Sequence, residues 1–285
     1  MKGVLVQAVD KDHFPTLRTA TVHGARYRFG YQLGRGAFST VFKATDEWGN
    51  PLVVKIYDAG IKEEVWRNEV VQLRRFRCPW VPHLHASFQH QNATYLIMQD
   101  SGHAVSRCNF DSSEQRQRAA MFVARGLLQA LILIHGRDHF HADINPENVL
   151  IELDSARKLK GVKLIDFAFC RPAASLAKGF GHMAQWTPPP EYFDRSRPAI
   201  GPTIDIYHTG VLLLRVLKGK ALDYSEAEIL ADQPQRDALQ LGGPFAEPLA
   251  KAMAPAPDQR PSALELWRLL RVSLADLKPA RDARP

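Results

Sequence analysis

The spacing of apolar residues changes character near residue 100. Tyr27 to Leu33, Thr40 to Thr45 and Leu52 to Tyr57 are short runs rich in β-branched and aromatic residues, separated by a glycine-rich turn and by Asp46-Glu47-Trp48-Gly49-Asn50. Such runs between turn residues predict an antiparallel meander. Val65, Val70, Leu73 and Phe76 then recur at near-helical spacing, which predicts a helix over 61–76. A further strand pair is expected from Pro82 to Phe88 and from Thr94 to Gln99. Residues 1–25 carry no strong period and read as an extension whose end can add a strand.

Beyond Gly102 the texture is helical. Glu114 to His135 is long and strongly apolar on one face, and residues 203–218, 225–241, 245–253 and 262–275 also read as helices. Proline and glycine cluster in 187–202 and 242–261 as loops between helices, and the polar tail from Lys278 to Pro285 is expected to fray. The chain therefore reads as α+β, with a sheet-rich first hundred residues followed by a mostly helical part.

Composition narrows the function classes. Of 285 residues 45% are hydrophobic and 24% charged, an ordinary globular mixture with a net charge of +7. The basic residues are scattered apart from short clusters such as Arg74-Arg75-Phe76-Arg77, and no aromatic-interleaved strip suggests a nucleic-acid groove. Three widely spaced cysteines, Cys78, Cys108 and Cys170, indicate neither a disulfide framework nor a Cys-x-x-Cys metal site, which fits a reducing cytoplasm. No run of about 18 uncharged apolar residues predicts a membrane span.

Leu33-Gly34-Arg35-Gly36-Ala37-Phe38-Ser39-Thr40-Val41 lies between two predicted strands. Glycines there let backbone N–H groups approach phosphates, although a plain hairpin turn explains them equally well. Lys55 interrupts the apolar run Val53-Val54-Lys55-Ile56 and needs an anionic partner, because a buried unpaired ammonium is costly. The candidates are bound phosphates and Glu69 of the following helix.

The sharpest segment is His139-Phe140-His141-Ala142-Asp143-Ile144-Asn145-Pro146-Glu147-Asn148-Val149-Leu150, followed by Lys163-Leu164-Ile165-Asp166-Phe167-Ala168. It resembles the catalytic loop and Asp-Phe-Gly segments of the eukaryotic-like protein kinases, matching at His141, Asp143, Asn148, Asp166 and Phe167. Pro189-Pro190-Glu191, Asp205 to Gly210 and Arg260-Pro261-Ser262 continue the resemblance in family order over roughly residues 27–272. It implies a two-lobed fold, with an extension at 1–25, an N-lobe at 26–101, a C-lobe at 102–275 and a tail at 276–285.

The resemblance also implies roles for particular residues. Gly34, Gly36, Ser39 and Val41 would cover the phosphates of ATP, with Lys55 holding the α- and β-phosphates and Glu69 orienting it. Asn148 and Asp166 would coordinate Mg2+, and Asp143 would take the acceptor hydroxyl proton. Met98 would back the adenine pocket, with Gln99 to Ser101 supplying backbone hydrogen bonds. Glu191 and Arg260 would form a structural ion pair. His141 would lie beneath the catalytic loop rather than join His135 and His139 on zinc. The expected substrate is a protein carrying Ser or Thr hydroxyls.

Several positions depart from the family pattern. Ala142 replaces an arginine that in many members binds a phosphorylated activation segment, so control by loop phosphorylation is not expected. Asn145 replaces the catalytic-loop lysine, removing a positive charge from the transition-state environment. Ala168 replaces the glycine of Asp-Phe-Gly and reduces backbone freedom. These leave two other readings open, a pseudokinase that binds a partner and a small-molecule kinase.

Overall fold

The structure, a computed structural model, describes residues 4–6, 13–178, 186–193 and 201–275; the predicted tail at 276–285 and part of the loop at 187–202 lie outside them. Two short strands and a meander open the chain: β1 (Leu5–Val6), β2 (Thr19–Val22), β3 (Ala25–Arg35), β4 (Ser39–Asp46) and β5 (Pro51–Tyr57). The helix α1 (Glu63–Arg75) follows, then the hairpin β6 (Leu84–His90) and β7 (Ala93–Gln99). Six of these strands form one antiparallel sheet in the order β2-β3-β4-β5-β7-β6. The end of the extension does add a strand, β2, joined to β3 by His23 and Gly24 with φ of 50° and 84°. Two consecutive positive φ values are what a tight hairpin between right-twisted strands requires.

Strand alternation gives this sheet two different faces. Leu52 and Val54 point with Phe29, Phe42, Tyr95 and Ile97 into one apolar cluster. The intervening positions Val53, Lys55 and Tyr57 face the other way, toward α1 and the cleft below it. The meander thereby carries one buried cation into the space between the two halves of the molecule.

The helical half follows β8 (His103–Ala104) and β9 (Cys108–Asn109). It is built on α2 (Ser113–His135), whose first turn is capped by Ser112 accepting the Gln115 N–H at 3.1 Å. By length and composition α2 could cross a membrane, but 56% of its most apolar stretch is buried inside the fold, the situation of a core helix. Gly126 lets it pass close to the sheet: a Cβ there would come within 2.5 Å of the Val162 Cβ. β10 (His139–Phe140) pairs with β13 (Arg171–Pro172), and β11 (Val149–Leu153) with β12 (Leu159–Leu164). Helices α3 (Pro190–Phe193), α4 (Thr203–Lys218), α5 (Glu226–Leu230), α6 (Gln233–Leu239), α7 (Ala246–Ala252) and α8 (Ala263–Ala275) complete the described chain.

Two expectations change. The helix read over 225–241 is two helices, because Asp232 adopts φ 59° and starts α6 with Pro234 behind it, while a Ser225–Glu228 capping box starts α5. The extension is also more than an edge. β1 pairs with β9 on the helical half, and the Val4 N–H and C=O bond Arg157 at 3.0 and 2.8 Å, so the extension contacts both halves.

Candidate active site

Lys55 lies between two carboxylates. Its Nζ donates to Glu69 at 2.9 and 3.1 Å and lies 2.9 Å from Asp166 Oδ1. Burial alone would lower the ammonium pKa, but the charges of Asp166 and then Glu69 outweigh it and hold Lys55 well above the ordinary lysine value. Desolvation pushes the Asp166 carboxyl up, but the same ammonium pulls it below the usual carboxylate range. One strand, one helix and one loop are thus joined through a single cation, and the expected Lys55–Glu69 pair is present.

Two donors on α1 and β5 add to this contact, and neither stood out in the sequence. The Tyr57 hydroxyl donates to Glu69 Oε2. Asn68 Nδ2 reaches the carbonyls of Phe167, Ala168 and Cys170 at 3.3, 2.9 and 2.8 Å, and Gln72 in turn donates to Asn68 Oδ1 at 3.0 Å. Phe167 is buried edge-on to His141 and stacked near Phe76. A solvent-like polar residue beside a helical carboxylate gives no sequence signal; only the packing of α1 against residues 167–170 does.

Across the cleft, Asp143 is held by two carboxamides. Asn145 Nδ2 donates to its Oδ1 at 2.9 Å and Asn148 Nδ2 to its Oδ2 at 2.7 Å. Asn145 Oδ1 accepts the N–H groups of Glu147 and Asn148, which locks the loop as a turn. Burial, with repulsion from Asp166 next, pushes the Asp143 carboxyl up to about 7 despite both amide donors. The position expected to hold a lysine therefore holds a neutral donor aimed at the carboxylate.

The turn that presents Asp143 rests on Asp205. Ala142 takes φ 66°, an unfavourable region for a residue with a Cβ. Asp205 offsets that cost by accepting the N–H groups of His141 and Ala142 at 2.8 and 2.9 Å, with His135 Nε2 donating to it at 2.9 Å. His141 Nε2 donates to the Ile165 carbonyl at 3.0 Å, and His139 Nδ1 donates to the Arg137 carbonyl at 2.7 Å. The three imidazoles therefore serve three separate hydrogen-bonding positions, with His141 beneath the loop as expected.

The glycine segment joins β3 to β4, the strand that pairs with the one carrying Lys55. Gly34 pairs with Val41, Val41 with Lys55, and the Gly36 N–H donates to the Ser39 carbonyl at 2.8 Å. A Cβ built on Gly34 or Gly36 would come no closer than 3.5 Å to any neighbour, so the fold alone does not demand glycine at either position. At the back, Met98 is buried on β7. Gln99 donates its N–H to the His83 carbonyl at 2.9 Å, because the sheet continues through it. Its carbonyl faces the buried Ser101, whose hydroxyl donates to it at 3.2 Å.

Asn148 spends its Nδ2 on Asp143 and keeps Oδ1, while Asp166 keeps the oxygen that does not face Lys55. Hard oxygen atoms of this kind fit Mg2+.

A family model described as the protein kinase domain matches residues 27–268. The chain belongs to the protein kinase family. Among curated proteins it is 30% identical over 255 residues to CBL-interacting protein kinase 4 of Oryza sativa subsp. japonica, covering 82% of this chain and 55% of that protein. It is 28% identical over 214 residues to CBL-interacting protein kinase 20 of the same organism, covering 70% and 46%. It is 26% identical to serine/threonine-protein kinase PAK mbt of Drosophila melanogaster, covering 72% and 32%. The chain thus spans about half of the two rice proteins and a third of the fly protein.

As a kinase domain it has the two halves expected of the family, a β-rich N-lobe and a helical C-lobe. Arg260 donates through Nη1 and Nη2 to the two oxygens of Glu191 at 2.6 and 2.7 Å, and both side chains are fully buried. That ion pair ties the end of the segment after Asp166 to the loop before α8. The match also covers Ala142, Asn145 and Ala168, so the departures lie inside a kinase domain and not at its margin.

Proposed function

We propose that this chain is an ATP-dependent protein kinase that transfers the γ-phosphoryl group to Ser or Thr hydroxyls of a protein. The observation that carries the reading is the joint placement of Lys55 between Glu69 and Asp166 and of Asp143 between two carboxamides. Phosphoryl transfer asks the protein mainly to position groups and neutralise charge. Lys55 would leave Asp166 to hold the α- and β-phosphates while Glu69 keeps it aimed into the cleft. Gly34 and Gly36 would let the backbone close over those phosphates. Met98, the Gln99 carbonyl and Ser101 would contact adenine.

Asp166 and Asn148 would hold Mg2+, which supplies charge neutralisation to the phosphate oxygens. Asp143 would orient the acceptor hydroxyl and take its proton, a task suited to a carboxyl poised near neutral pH. Serine and threonine as acceptors are supported by the relatives, which include serine/threonine-protein kinases. We place the protein in the cytoplasm, a reading supported by three cysteines that are all free thiols.

The test is transfer from γ-labelled ATP with Mg2+ to the protein itself and to generic protein substrates, comparing wild type with Asp143→Asn. Labelling of Ser or Thr by wild type alone supports the proposal. ATP binding without labelling by either protein would turn the reading toward a pseudokinase or a small-molecule kinase.

A further inference from the structure

Tyr57 stands two residues after Lys55 on β5, so both side chains leave the strand on the same face and meet α1. Its hydroxyl donates to Glu69 Oε2, the oxygen that also takes Lys55 Nζ at 2.9 Å. Its ring centre lies 4.9 Å from that Nζ, and the residue is only 2% exposed. Burial first, and the Glu69 charge second, push the hydroxyl far above the ordinary tyrosine value, so it stays protonated and remains a donor.

We propose that Tyr57 is a positioning residue for phosphoryl transfer: its hydroxyl keeps Glu69 in place while Lys55 shifts from Asp166 to the nucleotide phosphates. This rests on the kinase reading above. The buried cluster holds one ammonium and two carboxylates. Glu69 is 1% exposed, shielded from bulk solvent, and keeps few donors if Lys55 is shared with a third anion. Leaving a buried carboxylate short of donors is strongly unfavourable. The tyrosine hydroxyl supplies the missing donor without adding charge that would compete with the phosphates for Lys55. It also ties α1 to β5 at two points instead of one, so Glu69 holds its orientation as Lys55 moves.

Tyr57→Phe isolates the claim, because it keeps the ring and its contact with Lys55 and removes only the donor. Affinity for a fluorescent ATP analogue with Mg2+, steady-state turnover at varied ATP and the melting temperature would be measured for wild type, Tyr57→Phe, Glu69→Gln and the double variant. The expected result is a loss on the order of tenfold in analogue affinity and in kcat/KM for ATP, the size of one hydrogen bond to a charged group. In the Glu69→Gln background the same substitution should change little. A Tyr57→Phe protein that binds and turns over like wild type, or an equal loss in both backgrounds, overturns the proposal. A wild type that binds no nucleotide overturns the kinase reading and this inference with it, and that outcome is distinct from one in which only Tyr57→Phe is without effect.

Discussion

Asp143 shows how one residue's environment sets its chemistry. A carboxyl with an ordinary pKa near 4 is a poor proton acceptor for a hydroxyl; burial and the Asp166 charge raise this one to about 7. Transfer should therefore fall on the acid side of neutrality as Asp143 takes up its proton, and a pH–rate profile of kcat/KM for the acceptor reads the inflection directly. A metal ion bound beside it would move that inflection to lower pH. The same shift has a stability consequence of known sign. Between about pH 4 and 7 the folded protein keeps a proton that the unfolded chain releases, so this group makes the fold progressively less stable as pH rises through that range. Melting curves should accordingly show Asp143→Asn gaining stability over wild type at pH 8 and losing that advantage at pH 5. Asn145 fits the same picture: its amide orients Asp143 through Oδ1, work that needs a donor and not a charge.

Among the elements, α1 is fastened on two sides. Lys55 and Tyr57 hold Glu69 from β5, and Asn68 holds the backbone of residues 167–170 through three carbonyls. Each is a contact between segments that must keep a fixed relation for the Lys55–Asp166 approach to survive. Asn68→Ala should loosen residues 167–170, seen as faster amide hydrogen exchange there, and lower turnover several-fold, while leaving the far helices α7 and α8 as protected as before. Unchanged exchange in 167–170 would show that Ala168 and the buried Phe167 fix the segment without Asn68. This arrangement also bears on Ala142. Where a family arginine would recruit a phosphate to order the loop, the turn here is ordered by Asp205 and the segment after Asp166 by Asn68.

For the whole molecule, the Arg260–Glu191 pair matters more than its small size suggests. Both side chains are fully buried, and Arg260 also donates to the Ala254 carbonyl at 2.8 Å and lies 4.9 Å over the Tyr207 ring. Removing one partner leaves the other charge uncompensated inside the C-lobe, a loss of about 3–5 kcal/mol. Arg260→Lys should recover only part of the large drop in denaturation midpoint expected for Arg260→Ala, because a compact ammonium lacks the planar fork with which Arg260 meets both Glu191 oxygens and the Ala254 carbonyl together. The N-terminal extension acts at this scale too, since Val4 is tied to Arg157 while β2 lengthens the N-lobe sheet.

Periodicity and residue order by themselves determined much of this protein. The meander, the helix carrying Glu69 and the long helix α2 follow from local spacing. Lys55, Asp143, Asn148 and Asp166 were legible because a fixed order of chemically unusual residues is informative even without geometry. Local spacing could not show that the helix over 225–241 breaks at Asp232, because apolar periodicity runs on through a single left-handed residue. Nor could it show that Val4 to Val6 cross to the C-lobe, since pairing with Cys108 and Asn109 joins segments a hundred residues apart. The roles of Tyr57 and Asn68 were equally hidden, and Asp205, legible as part of the family order, gave no sign of the turn it supports. Tyr57 and Asn68 are ordinary polar residues by sequence, and they acquire a function only when the fold places them beside partners in distant elements, a charge or a backbone segment. Only the tertiary structure brings those partners within hydrogen-bond reach.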